Sequence, residues 1–129
     1  MRVVITDESA PGRETSRLLL DGVPNRILLR DLIRHRVREE VVRFNARPTA
    51  CFSGLVQPAG SRPALGGYLL LRPRTLDWEA QADAALEAFE RNRFFVFVGG
   101  RQLEDLDEEL SLADSDVVSF LRLVPLAGG

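Results

Sequence analysis

The chain has 129 residues, a net charge of −2 at neutral pH, and 45% hydrophobic against 28% charged residues. A length below about 150 residues argues for a single domain spanning 1–129, and the composition excludes a wholly disordered, collagen-like or disulfide-stapled chain. Nineteen acidic against seventeen basic residues give no overall attraction to nucleic acid or to an anionic membrane, so neither is expected as a partner.

The first apolar run, Arg2-Val3-Val4-Ile5-Thr6, is β-branched and ends in the turn formers Asp7, Glu8, Ser9, Pro11 and Gly12, which predicts a strand and a turn. Arg17-Leu18-Leu19-Leu20 follows and stops at Asp21-Gly22, so a second strand is expected to pair with the first as a hairpin. The period then changes. Leu29, Ile33, Val37 and Val41 recur every four residues, flanked by Leu28, Leu32 and Phe44, and predict a helix over 28–44 with one apolar face.

Residues 46–74 contain four prolines and four glycines around Tyr68-Leu69-Leu70-Leu71, which reads as a loop-rich insertion holding one short strand. From Thr75, taken as the N-cap, Trp78, Ala82, Ala85, Leu86 and Phe89 sit at helical spacing up to Asn92. The insertion thus covers about 46–92. Phe94-Phe95-Val96-Phe97-Val98 is apolar on both faces of a strand closed by Gly99-Gly100, so it is central in its sheet or binds something on one face. Residues 104–116 hold seven acids and no base, and Val117 to Val124 returns as a last strand. This order predicts an α+β fold in which a mixed sheet wraps one helix, with the first and last strands parallel at its centre. That arrangement is a β-grasp.

Every one of the seventeen basic residues is Arg, so the chain has no side-chain amine and only the α-amine of Met1 can be acylated. The lone cysteine, Cys51, excludes an internal disulfide and any multi-thiol zinc site, in keeping with a reducing compartment. The N-terminus reaches Asp7 before any apolar stretch long enough for a signal peptide, and no apolar run is long enough to span a membrane. A cytoplasmic protein that folds without metal or cofactor is expected.

The segment Gly100-Arg101-Gln102-Leu103-Glu104-Asp105, together with the final Gly128-Gly129, resembles ubiquitin. The ending Asp116-Val117-Val118-Ser119-Phe120-Leu121, followed by Val124-Pro125-Leu126-Ala127-Gly128-Gly129, also resembles the sulfur carriers of molybdopterin and thiamine synthesis. The likeness covers about 94–129 closely and 1–44 by pattern, whereas 46–92 corresponds to nothing in either family. What it implies is a bacterial ubiquitin-like modifier, itself no enzyme. Its Gly129 carboxylate would be adenylated by an ATP-using activating enzyme, passed to a conjugating enzyme as a thioester, joined to target proteins and released by a deconjugating peptidase. The alternative is a sulfur carrier whose Gly129 becomes a thiocarboxylate for cofactor biosynthesis. A third reading is a non-covalent interaction module whose glycines are a frayed end.

The tail has its own physical logic. A carboxylate is a poor acyl donor until converted to a mixed anhydride, and reaching an activating enzyme's cleft needs a thin, extended segment. Six residues from Val124 stretch about 20 Å at roughly 3.3 Å each. Gly128 and Gly129 present no Cβ to a channel wall, and Pro125, lacking an N–H, ends strand pairing and frees the tail over 125–129. Pro125, Leu126 and Ala127 stand where ubiquitin has basic residues, so a cognate activating enzyme must read apolar contacts there.

By position from the glycines, ubiquitin's apolar docking patch falls on Phe97 and Leu123, with Phe95 and Leu121 extending it. The alternative is that the inserted helix, with Trp78 and Phe89, covers this face as a second core layer. Arg122 falls where ubiquitin buries a leucine, which leaves the register of the last strand open. Arg101 takes the place of a chain-forming lysine, so targets would be modified singly, through Met1, or through a hydroxyl ester.

Arg26, Arg30, Arg34 and Arg38 recur every four residues and form a basic stripe on the first helix. It is either a solvated face with local ion pairs such as Glu39 to Arg43, or a dock for an acidic enzyme surface. His35, four residues after Asp31, reads as one of a surface pair and Cys51 as a small buried hydrophobe. No phosphate-cradling loop, metal-ligand spacing or nucleophile elbow occurs.

Overall fold

The computed structural model describes residues 1–9 and 13–123. In chain order its elements are β1 (Val3–Ser9), β2 (Arg13–Leu20), β3 (Arg26–Leu28), α1 (Leu29–Ala46), β4 (Cys51–Phe52), β5 (Ser61–Ala64), β6 (Gly67–Leu70), α2 (Trp78–Glu90), β7 (Phe94–Val98), β8 (Arg101–Leu103), β9 (Glu109–Ser111) and β10 (Val117–Arg122). The class is α+β, with a mixed sheet and two helices. Contacts divide the chain into two compact units, Met1–Leu32 with Ala88–Gly129, and Ile33–Glu87. Among the described residues no helix is long and apolar enough to cross a membrane.

The first unit is built on a five-stranded sheet in the order β2-β1-β10-β7-β8. As the sequence predicts, the first and last strands pair in parallel, from Val4 opposite Val117 to Ser9 opposite Arg122. All other neighbours in this sheet are antiparallel. Alternation along the strands sends Val3, Ile5, Phe94, Val96, Val118 and Phe120 to one buried face, each at most 3% exposed. Phe89 joins them from the end of α2, its ring centroid 5.8 Å from Phe94, which lies 5.8 Å from Phe120. Asp7 is buried on β1 beside the bulge at Asp7/Glu8 and accepts a 2.9 Å hydrogen bond from the Ser16 hydroxyl.

The acidic segment supplies this unit with a helix cap. α1 begins Leu28-Leu29 without a Ser, Thr, Asp or Asn to take its first amide donors. Instead the Leu29 N–H donates to the Glu108 carbonyl and the Arg30 N–H to the Leu106 carbonyl, both at 2.9 Å. The intervening loop is folded tightly, because the Asp105 carboxylate accepts from the Asp107 N–H at 2.9 Å. A short antiparallel pair, β3 with β9, runs alongside with Ile27 opposite Leu110. Arg26 therefore lies on a strand, not on the helix as its four-residue spacing suggested.

In the second unit the predicted helix face holds: Ile33, Val37 and Val41 are at most 2% exposed. Phe44 meets Phe52 edge-on at 5.2 Å. The span read as loop with one strand is a three-stranded antiparallel sheet, β4-β6-β5. Pro63 is accommodated because β5 is an edge strand, where a missing N–H breaks no ladder bond. The cap of α2 is Asp77 rather than Thr75: the Asp77 carboxylate accepts from the Glu79 N–H at 3.0 Å. Asn45 joins the end of α1 to the stretch before α2, donating to the Leu76 carbonyl at 2.9 Å and accepting from the Leu76 N–H at 2.8 Å.

Candidate functional site

Strand register brings the predicted docking residues onto one face of the five-stranded sheet. Phe95 is directly opposite Leu121 and Phe97 opposite Ser119. Because neighbouring residues of β7 point to opposite faces, Phe95 and Phe97 are turned away from the buried row of Phe94 and Val96. Phe95, Phe97 and Leu121 are half-buried, and Leu123, just past β10, is 48% exposed. Leu19 and Val117 are exposed apolar residues on neighbouring strands of the same sheet. At the middle of the face the Thr6 hydroxyl donates to the Ser119 hydroxyl at 3.0 Å.

Phe89 was one of the two aromatics expected to cover this face in the alternative reading. It packs instead against Phe94, on the opposite side of β7. The other, Trp78, lies in the second unit against Arg34 and Arg38, whose guanidinium carbons are 5.4 and 5.6 Å from its ring centroid.

The segment Gly100 to Asp105 forms the β7–β8 hairpin and the turn after it. Val98 pairs with Arg101 across a two-residue loop, and Gly99 and Gly100 both have positive φ, +58° and +77°. That pattern is the type I′ turn whose twist matches its strands. Leu103 is 1% exposed and anchors the hairpin. Arg101 Nη1 is 2.6 Å from Glu108 Oε2. A groove of about 480 Å³ beside this hairpin is lined by residues that include Phe95, Gln102, Glu104, Arg30 and Asp107.

Charge in the first unit is arranged by pairing. Arg30 Nε is 2.8 Å from Asp107 Oδ1; the hydrogen bond and the opposite charge raise the Arg30 pKa and hold Asp107 below the usual carboxylate range. Arg26 reaches Glu109 at 3.8 Å. In the second unit Arg34 reaches Asp83 at 3.7 Å and Arg43 reaches Glu39 at 2.8 Å. Three of the four stripe arginines, Arg26, Arg30 and Arg34, are thus ion-paired, and Arg38 lies over the Trp78 ring.

One charged pair escaped the sequence reading. Arg36, 2% exposed, lies against Glu40 with Nε–Oε1 and Nη2–Oε2 distances both 3.4 Å, and the same carboxylate accepts from the Leu55 N–H at 3.4 Å. Only the i,i+4 spacing signalled it. Cys51, read as a buried hydrophobe, is exposed on β4 because its strand turns Phe52 inward instead. His35 is half-buried on α1. Among the described residues no group of three or more His, Cys, Asp and Glu side chains is placed to hold a metal ion.

The predicted tail, Pro125, Leu126, Ala127, Gly128 and Gly129, lies outside the described residues. Comparison of the chain with family models, with curated proteins and with solved structures gives no match.

Proposed function

We propose that the chain is a ubiquitin-like modifier with a β-grasp first unit, whose Gly129 carboxylate is the acyl group handed to target proteins. The observation that carries this reading is the parallel β1–β10 pair inside the order β2-β1-β10-β7-β8. Parallel first and last strands flanked by two hairpins are what the resemblance requires, and the Gly100 to Asp105 segment falls on the hairpin where that resemblance begins. The sheet then delivers the chain to Leu123 from its central strand, immediately before the proposed tail.

On this reading the Gly129 carboxylate attacks the α-phosphate of ATP on an activating enzyme, releasing pyrophosphate. A cysteine thiolate next displaces AMP to give a thioester. An amine or hydroxyl of the target displaces the thiol in turn. The chain supplies no catalytic group, only the unhindered carbonyl and the Phe95, Phe97, Leu121 and Leu123 face that enzymes would grip. The protein works in the cytoplasm, where ATP and reduced thiols are at hand. Without lysine it cannot build amide chains on its own side chains.

The second reading, a sulfur carrier, draws on the Val-Pro-Leu-Ala-Gly-Gly ending; the additional unit over 33–87 favours the modifier, since sulfur carriers are minimal domains. Intact mass of the tagged protein from its native cells separates the two. High-mass covalent adducts that vanish when Gly129 is deleted support the modifier, and a single oxygen-for-sulfur exchange on a chain ending at Gly129 supports the carrier. Indifference of every species to that deletion rejects both.

A further inference from the structure

We propose that the β5–β6 hairpin of the second unit inserts its tip into the interface of an anionic lipid bilayer. From residue 41 to residue 76 the chain has five arginines, Arg43, Arg47, Arg62, Arg72 and Arg74, and no Asp or Glu. The whole-chain charge of −2 hides this, yet screening over roughly 8–10 Å makes the local charge the one that a surface meets. Arg62 and Arg72 bracket nine uncharged residues, 63–71, and among the described residues neither has an ion-pair partner.

Two leucines of that stretch point outward. Leu65 at the turn is 103% exposed and Leu71 is 73% exposed. Cys51, Leu69 and Arg62 form one row across the three strands, and Leu71, two residues beyond Leu69, shares their face. Phe52 and Leu70 point the other way and are buried. A single exposed leucine needs no explanation on its own; a fully exposed one at the tip of a hairpin whose residues 63–71 are uncharged and whose flanks are basic matches an interfacial segment.

Dimensions and hydrogen bonding agree. Arg62 to Leu65 is three residues, about 10 Å at roughly 3.3 Å each, the depth of an interfacially bound element, about 5–10 Å. With the tip submerged, Arg62 lies at the phosphate level and Tyr68, one register position nearer the tip, among the headgroups, where aromatic side chains concentrate; Leu71, opposite Gly60, and Arg72 lie farther out, where Arg72 still adds attraction to the anionic surface. Backbone polar groups entering that region must already be satisfied. The ladder runs to the Ala64–Gly67 pair, Pro63 has no N–H, and the Gly66 carbonyl accepts from the Ser53 hydroxyl at 2.6 Å. A protruding apolar tip suits a fluid interface, which needs no preformed concavity.

The inference is independent of the modifier reading and is tested on the full-length chain by co-sedimentation with vesicles. Binding is expected to mixed phosphatidylcholine–phosphatidylglycerol vesicles and not to phosphatidylcholine alone. Leu65→Asp should weaken it about tenfold or more, and joint Arg62→Gln and Arg72→Gln about 25-fold, at roughly fivefold per arginine. Leu65 is fully exposed, so these variants keep their fold, as circular dichroism will check. In a Trp78→Phe background, the indole of Leu65→Trp should shift to the blue and be quenched by lipids brominated on their chains. Failure to bind mixed vesicles, binding insensitive to Leu65→Asp, or an unquenched indole would each overturn the proposal. An acidic protein partner is what the first of these outcomes would leave.

Discussion

Arg30 is held twice to one loop: its Nε lies 2.8 Å from Asp107 Oδ1, and its backbone N–H donates to the Leu106 carbonyl at 2.9 Å. The acidic stretch is therefore the N-terminal cap of α1, reached from about 77 residues away along the chain. Asp107, lowered from its ordinary 3.8 by Arg30, contributes stability that is present above that value and lost as pH falls through its folded-state pKa. Both side chains are well exposed, so the effect is small. Carboxyl NMR titration should show Asp107 moving up towards its ordinary value in Arg30→Gln. An unchanged titration would mean that the pair is not formed in solution.

The two faces of β7 and β10 should respond differently to truncation. Phe120 is fully buried against Phe94, so Phe120→Ala should lower unfolding free energy by about 3–5 kcal/mol in urea titration. Phe97→Ala, on the half-buried outer face, should cost about 1–2 kcal/mol and still weaken transfer to the activating enzyme in the proposed pathway. Equal destabilisation by the two would place Phe97 in a core.

Two glycines with positive φ differ in what an added side chain would meet. Gly100 has φ +77° and open space around an added Cβ, so Gly100→Ala should cost about 1–2 kcal/mol through backbone conformation alone. At Gly67 an added Cβ would lie 2.5 Å from the Phe52 carbonyl oxygen, so Gly67→Ala must part β4 from β6, at about 1–3 kcal/mol. Only the second should loosen amide protection at Phe52 and Leu69 in hydrogen exchange.

Breaking the buried pair tests whether Arg36 depends on Glu40. Glu40→Ala leaves a guanidinium that is 2% exposed without its carboxylate and should cost about 3–5 kcal/mol, whereas Arg36→Met with Glu40→Leu should be near neutral. Chemical denaturation of the two variants reads the contrast. A mild loss in the single variant would show that other groups or water satisfy the guanidinium.

Much of the first unit's sheet was legible, because its strands carry their pattern locally: β7 is apolar on both faces and closes on Gly99-Gly100, and β10 repeats the parity that turns Leu121 outward with Phe95. The four-residue recurrence from Leu29 to Val41 marked α1 for the same reason. What failed depends on distant partners. Arg26 fits a helical spacing, and only pairing with Ser111 makes it a strand residue. Pro63 and Gly67 look like loop residues unless β5 is known to be an edge and Gly67 to approach the Phe52 backbone. Arg36 and Glu40 went unremarked, since nothing local says which arginine of five on α1 faces inward. Of the candidate site, the cross-strand patch came from the resemblance to ubiquitin, counted from the glycines, and the register sets Phe95 opposite Leu121.

The most direct measurement follows from the position of Arg122. Trypsin cleaves after it, so any conjugate in native cells must leave Leu123-Val124-Pro125-Leu126-Ala127-Gly128-Gly129 attached to a target peptide through the Gly129 carbonyl. The account predicts that tandem mass spectrometry of tagged material finds this branched remnant on lysine, serine, threonine or an N-terminal amine. Recovery of the seven-residue peptide only with a free carboxylate, only as a thiocarboxylate, or only within a longer linear peptide would contradict it.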